Sequence, residues 1–138
     1  MRQFTVLPHV ADVRLKVEGS TLQELFTAAL EGMNYILKKG YCEQPARLSE
    51  RREIRISSFD TTALLVDFLS ETLTLSLIHR AIFCQVKFAE LKSSSLSAVL
   101  LGSTVSGFDE DIKAVSYHEA EIVQNSQGNY QTNVVFDI

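Results

Sequence analysis

Residues 12–18 alternate without a break, with Val13, Leu15 and Val17 on one side and Asp12, Arg14, Lys16 and Glu18 on the other. Period-two alternation of this kind describes a strand with one face in a core and one in solvent. Gly19-Ser20-Thr21 then stops the strand and offers a hydroxyl to cap a helix. Glu24 stands three residues beyond Thr21, which is the spacing of a capping box. Leu22, Leu25, Phe26, Ala29, Leu30, Met33, Ile36 and Leu37 follow at helical spacing, and Lys38-Lys39 before Gly40 suits a helix C-terminus. A half-buried strand running straight into an amphipathic helix fixes the start of the fold.

The remaining elements are read in the same way. Phe4 opens a short apolar run, and residues 39–52 are polar and proline-containing, so they read as a loop. Residues 52–59 alternate through Ile54 and Ile56, which predicts a strand. Asp60 or Thr61 caps a second helix, from Thr61 to about Leu77, whose stripe is Leu65, Phe68, Leu69, Thr72, Leu73 and Ser76, widened by Leu64 and Leu75. Residues 81–91 and 96–105 read as two strands joined through Ser93-Ser94-Ser95. Residues 114–123 and 130–138 read as two more, joined by Asn125-Ser126-Gln127-Gly128-Asn129. A strand–helix start followed by a run of strands predicts an α+β fold: a mixed β-sheet with two α-helices packed on one face, in a single domain over residues 1–138.

Composition excludes several classes. At 138 residues and 46% hydrophobic, the chain buries a full core without a staple, and it is neither disordered nor fibrous. Seventeen Asp+Glu against 13 Lys+Arg give a net charge of −4, which argues against direct, sequence-specific nucleic-acid binding by a basic surface. Cys42 and Cys84 form no C-x-x-C pair and no disulfide framework, so they read as thiols of a reducing compartment. No run approaches the roughly 18 apolar residues of a membrane span. The opening residues are polar again by Pro8-His9, so no secretory signal is read and a cytoplasmic setting is expected.

Three places hold candidate chemistry. Asp67 and Glu71 are four apart on the second helix and share a face, which is either simply solvated or serves a nearby cation. Asp137 stands beside Ile138, so two anionic groups meet at the end of a strand; they either solvate the strand end or bind a hard cation such as calcium or magnesium. His9-Val10-Ala11-Asp12 enters the first alternating strand. His9, His79 and His118 lack the spacing of a zinc site. Lys113 and His118 are five apart, so in a regular strand they face opposite sides and share a site only across a bend. No P-loop, no dinucleotide fingerprint, no nucleophile elbow and no catalytic-cysteine signature appears.

Four motifs then fall in order: His9-Val10-Ala11-Asp12-Val13, Leu65-Val66-Asp67-Phe68-Leu69-Ser70-Glu71-Thr72-Leu73, Lys113-Ala114-Val115-Ser116-Tyr117-His118 and Val134-Val135-Phe136-Asp137-Ile138. Over residues 9–138 the chain resembles the archease family, which carries H-T-A-D-V, L-V-D-W-L-N-E-L-L, K-A-V-T-Y-H and V-V-[FL]-D-I. The resemblance implies an accessory protein and not an enzyme. Its partner would be the GTP-dependent RNA ligase of tRNA splicing, with contact to tRNA or other RNA only through that ligase and no contact with a membrane. It also implies a divalent cation, calcium foremost, with magnesium or manganese as alternatives. By motif position its ligands would be Asp12, Asp137 and Ile138. Lys113 matches a lysine needed for activation, and Asp67, Glu71, His9 and His118 match nearby polar positions. The chain departs from the pattern at Val10, Phe68, Ser70 and Ser116, in a shortened segment over residues 102–112, and at Arg14, where many members have glycine. Two alternatives stand beside this reading: a modulator of a tRNA-modifying enzyme such as a methyltransferase, and a small metal-dependent hydrolase using His9, His118 or Glu71 as base.

Overall fold

The structure is a computed structural model that describes residues 3–6 as backbone, 12–44 and 47–138. Strand β1 (Gln3–Val6) leads to β2 (Asp12–Gly19), helix α1 (Leu22–Leu37), a 3-10 turn (Tyr41–Glu43) and β3 (Glu50–Ser57). Helix α2 (Thr61–His79) follows, then β4 (Ala81–Leu91), β5 (Ser95–Thr104), β6 (Ala114–Ser116), β7 (Val123–Gln124) and β8 (Tyr130–Asp137).

The α+β class holds, with one contiguous core. The sheet differs from the expected single mixed one. Its strands divide between two sheets, β1-β2-β8-β6 with β7 also on β8, and β3-β5-β4. Every pairing is antiparallel. The helices also differ from the expected packing on one face, because each touches both sheets. Helix α1 lies on β2 and β8 of the first sheet and on β4 of the second, and α2 lies on β3, β4 and β5 of the second and on β6 of the first. Strand polarity and partner choice are long-range properties that alternation within a strand does not carry.

Local signals explain the elements. Along β2, Val13, Leu15 and Val17 are buried while Arg14 and Lys16 are exposed. The Thr21 hydroxyl accepts the Glu24 amide at 3.1 Å, and the Glu24 carboxylate accepts the Ser20 amide at 3.0 Å and the Ser20 hydroxyl at 2.8 Å. The box therefore closes one residue earlier than its usual form. Asp60 caps α2 through the Ala63 amide at 2.8 Å, and Arg80 ends it in the left-handed region at φ 48°. Helix α2 is buried around much of its circumference, from Ala63 to Val66 and at Phe68, Leu69, Thr72, Leu73 and Ser76. It is long and apolar enough to cross a membrane by length and composition, contrary to the sequence expectation, yet half of that window is buried inside the protein. The reason is its place between two sheets, where an apolar residue is needed on several sides. The Phe68 ring lies 5.7 Å, centroid to centroid, from the tilted rings of both Phe26 of α1 and Phe88 of β4, joining the layers.

Two further expectations are corrected. Residues 114–123 are not one strand, because β6 stops at Ser116 and β7 begins at Val123. Glu119 between them takes φ 66°, and the amides of Glu121 and Ile122 donate to the hydroxyls of Thr132 and Thr62. Cys42 and Cys84 are not free thiols: they are joined as a disulfide, with Cα atoms 5.5 Å apart. The 3-10 turn after α1 brings Cys42 alongside β4, and Cys84 sits in an irregularity of the β4–β5 register between Ile82 and Gln85. A pairing across 42 residues leaves no local trace in the sequence.

Gly32 brings α1 close to β2, since a Cβ there would meet Leu15 Cδ2 at 2.1 Å. Gly32→Ala is expected to lower stability by about 1–3 kcal/mol, in spite of alanine's better helix propensity. Combined with Leu15→Ala, it should cost clearly less than the sum of the two changes; additive urea midpoints would refute the contact. Reducing the disulfide should lower stability by at most about 4 kcal/mol, the loop-entropy value for a closure of this length. Urea unfolding with and without dithiothreitol measures it, and two alkylatable thiols before reduction would show that the bond is absent.

Candidate functional site

The β2–β8 pairing brings the extremes of the sequence together. Asp12 lies directly opposite Asp137, Val13 opposite Phe136 and Leu15 opposite Val134. Directly opposed residues of an antiparallel pair share a face, with Cβ atoms about 4.5–5.5 Å apart. Val13, Leu15, Val134 and Phe136 turn to the core, so Asp12 and Asp137 stand together on the outer face. Asp12 is half-buried and Asp137 exposed. On the other side of β8, Ala114 pairs with Asp137, and the Lys113 amide donates to the Asp137 carbonyl at 2.7 Å. Ile138 is half-buried and packs against the core, which directs the main chain at this corner.

Asp12, Asp137, Ile138 and Lys113, assigned from distant motifs, therefore share one corner. Like charges directly opposite each other in a sheet are unfavourable. Among the described residues neither aspartate forms an ion pair or accepts a side-chain hydrogen bond, and Lys113 is exposed and likewise unpaired. Two unrelieved carboxylates beside the main-chain oxygen of Ile138 are a donor set suited to a hard, oxygen-binding cation. Among the described residues no three His, Cys, Asp or Glu side chains gather into a metal cluster, so such an ion would depend on the main-chain group of Ile138 as its third donor.

The other expected residues fall elsewhere. Asp67, half-buried on α2, accepts the Ser58 hydroxyl on Oδ2 at 2.6 Å and the Tyr117 hydroxyl on Oδ1 in a short hydrogen bond. Two hydroxyls hold it, and among the described residues no basic side chain forms an ion pair with it. Glu71, one turn along, is exposed. His118 is exposed, with Nε2 3.6 Å from Glu119 Oε2, and Arg14 Nη2 lies 2.8 Å from the same oxygen. The ion pair runs from β2 to the turn after β6. Lys113 and His118 flank the short β6 at opposite ends. His9 lies outside the described residues. Tyr117, Ser58, Arg14 and Glu119 had no assigned role in the sequence reading. Tyr117 alone carried a signal, its place in the Lys113–His118 motif.

The Asp67 carboxylate, helped by partial burial, holds the Tyr117 phenol above its usual range. A raised phenol pKa means that this bond's contribution to stability is complete below the unfolded value near 10 and is lost as pH rises through the folded value. Asp67→Ala should return the Tyr117 titration toward normal, read by tyrosinate absorbance at 295 nm. Tyr117→Phe should cost about 0.5–1 kcal/mol, a low value for a bond to a charged group because the ring is more than half exposed. An unaltered titration in Asp67→Ala would show that the two groups are not bonded.

The model of the Archease protein family matches residues 4–138. The protein archease of Methanosarcina acetivorans is 32% identical over 146 residues, covering 99% of this chain and 97% of that one. The protein archease of Thermococcus kodakarensis is 29% identical, with full coverage of both chains. In structure, the chain is similar to the solution structure of protein 1598 of Methanobacterium thermoautotrophicum, with a TM-score of 0.76 at 24% identity over 99% of this chain and 98% of that one. It is also similar to a Thermotoga maritima archease described as a possible chaperone, with a TM-score of 0.66 at 17% identity, covering 97% and 96%. With the match running through both ends of the β2–β8 pair, this chain belongs to the archease family.

Proposed function

We propose that this protein activates a GTP-dependent RNA ligase, one that joins a 2′,3′-cyclic phosphate or 3′-phosphate end to a 5′-hydroxyl end, as in tRNA splicing. It acts as an accessory protein with no turnover of its own, by promoting ligase guanylylation and repeated turnover. The observation that carries the reading is the register of β8: Asp12 opposite Asp137 on one side, and the Lys113 amide on the Asp137 carbonyl on the other. Residues from three separate motifs thereby form one exposed corner that a partner's active site can reach.

Asp12, Asp137 and Ile138, the last through its main-chain oxygen, are the residues to hold a divalent cation, calcium foremost, with magnesium or manganese as alternatives. Bound there, the ion would supply positive charge with coordination positions left for a partner's oxygen atoms. Lys113 offers an exposed ammonium that pairs with no carboxylate among the described residues, suited to phosphate oxygens as a point charge. The net charge of −4 fits contact with RNA through the ligase and not directly. Activation on this reading is charge placed in advance beside the reacting phosphates.

Guanylylation of the purified ligase with labelled GTP tests the reading. Asp137→Ala and Lys113→Ala should each reduce stimulation by at least about ten-fold, the lower end of what loss of one preorganised charge costs. Terbium luminescence should report ion binding to the unaltered protein that Asp12→Asn and Asp137→Asn abolish. Full stimulation by both Asp137→Ala and Lys113→Ala overturns the mechanism, and recovery of a tRNA methyltransferase in place of the ligase from native lysate overturns the partner.

A further inference from the structure

Strand β6 is short for the position it must hold. It has three residues, Ala114–Ser116, and among the described residues it lies at the edge of its sheet and pairs only with β8. Lys113 stands at its start. Ile112 and Val115 anchor it in the core, and that burial opposes a slip, but a ladder of three residues offers few bonds to hold it. A slip of one residue would turn every side chain to the opposite face. A directional contact at the far end would prevent that slip, and Tyr117 makes one. Its hydroxyl donates to Asp67 Oδ1, while Ser58 Oγ donates to Oδ2 at 2.6 Å and stops the carboxylate rotating. Asp67 itself sits between the buried Val66 and Phe68 on a helix packed against both sheets, so its own place is rigid.

We infer that Asp67 is a positioning residue: it holds the Tyr117 hydroxyl, pins the register of β6, and so fixes Lys113 beside the Asp12–Asp137 corner. Each Asp67 oxygen already accepts one intrachain hydroxyl and the side chain is half-buried, whereas Glu71 is exposed. Asp67 and Glu71, which share a helix face, thereby separate in role. The functional side of this inference rests on the proposed activation by Lys113; its structural side stands without it.

Two measurements keep those sides apart. Hydrogen exchange reads the Lys113 amide, which donates to the Asp137 carbonyl. Asp67→Ala and Tyr117→Phe should each speed its exchange about ten-fold, as a local opening and not a global one, with the Leu15 amide unchanged. The double variant should exchange no faster than either single one. Asp67→Asn, whose amide oxygen still accepts the phenol, should restore most of the protection. In the guanylylation assay at saturating protein, Asp67→Ala and Tyr117→Phe should lower maximal stimulation about ten-fold, the scale of a displaced rather than a deleted charge, while the half-maximal concentration stays the same. If the unaltered protein does not stimulate the ligase, the activation reading fails and the exchange arm alone decides whether Asp67 pins β6. Unchanged Lys113 exchange in both single variants overturns the inference. So does loss of stimulation in Asp67→Ala with full retention in Tyr117→Phe, since Asp67 would then act directly.

Discussion

The antiparallel pairing of β2 with β8 is the constraint on which the molecule depends. Eight successive residues of each strand lie opposite one another, from Asp12 and Asp137 to Gly19 and Tyr130. On the inner face this register stacks Val13 on Phe136 and Leu15 on Val134, the layer on which α1 rests. On the outer face the same register sets two aspartates side by side. Core and candidate site are therefore two faces of one ladder, and a slip that exposed Phe136 would also separate the carboxylates.

The surroundings serve to hold that ladder's neighbours. Helix α2 is buried between two sheets and projects Asp67 toward the turn after β6. From the other face Arg14 reaches Glu119 on the same turn. The turn is thus held from both sides of the sheet. The Arg14 guanidinium supplies this contact from the exposed side of β2. Farther away, the disulfide ties the turn after α1 to β4. Near it the Lys39 amide donates to Asp109 Oδ2, and the Asp109 amide donates to the Leu37 carbonyl. These bonds fix the shortened segment that leads into Lys113.

What the sequence made legible follows from the range of each interaction. The alternation of β2, the Thr21 and Asp60 caps and the Asn125–Asn129 hairpin are set within a few residues, and all are found in the structure. The division into two sheets, the break after Ser116 and the Cys42–Cys84 bond each rely on partners more than ten residues away. Thr62 and Thr132 take the amides that would otherwise have continued a strand, and nothing near Glu121 or Ile122 announces them. At the site, the convergence of Asp12 with Asp137 came from motifs at the two ends of the chain, not from periodicity. Tyr117 lay inside one of those motifs, but its partner lies on a helix fifty residues earlier, so its bond to Asp67 emerged only in three dimensions.

The order β1-β2-β8-β6 has a consequence for synthesis. β8 emerges from the ribosome after every other described strand, yet it occupies an interior position between β2 and β6. Until it is made, its two neighbours have no ladder between them, and a gap one strand wide stays open along the first sheet. A nascent chain in that state offers unpaired backbone to any extended segment, its own or another molecule's. Insertion of β8 fills the gap and sets Asp137 beside Asp12 in one event, so a chain stalled before it would carry neither a completed sheet nor the acidic corner.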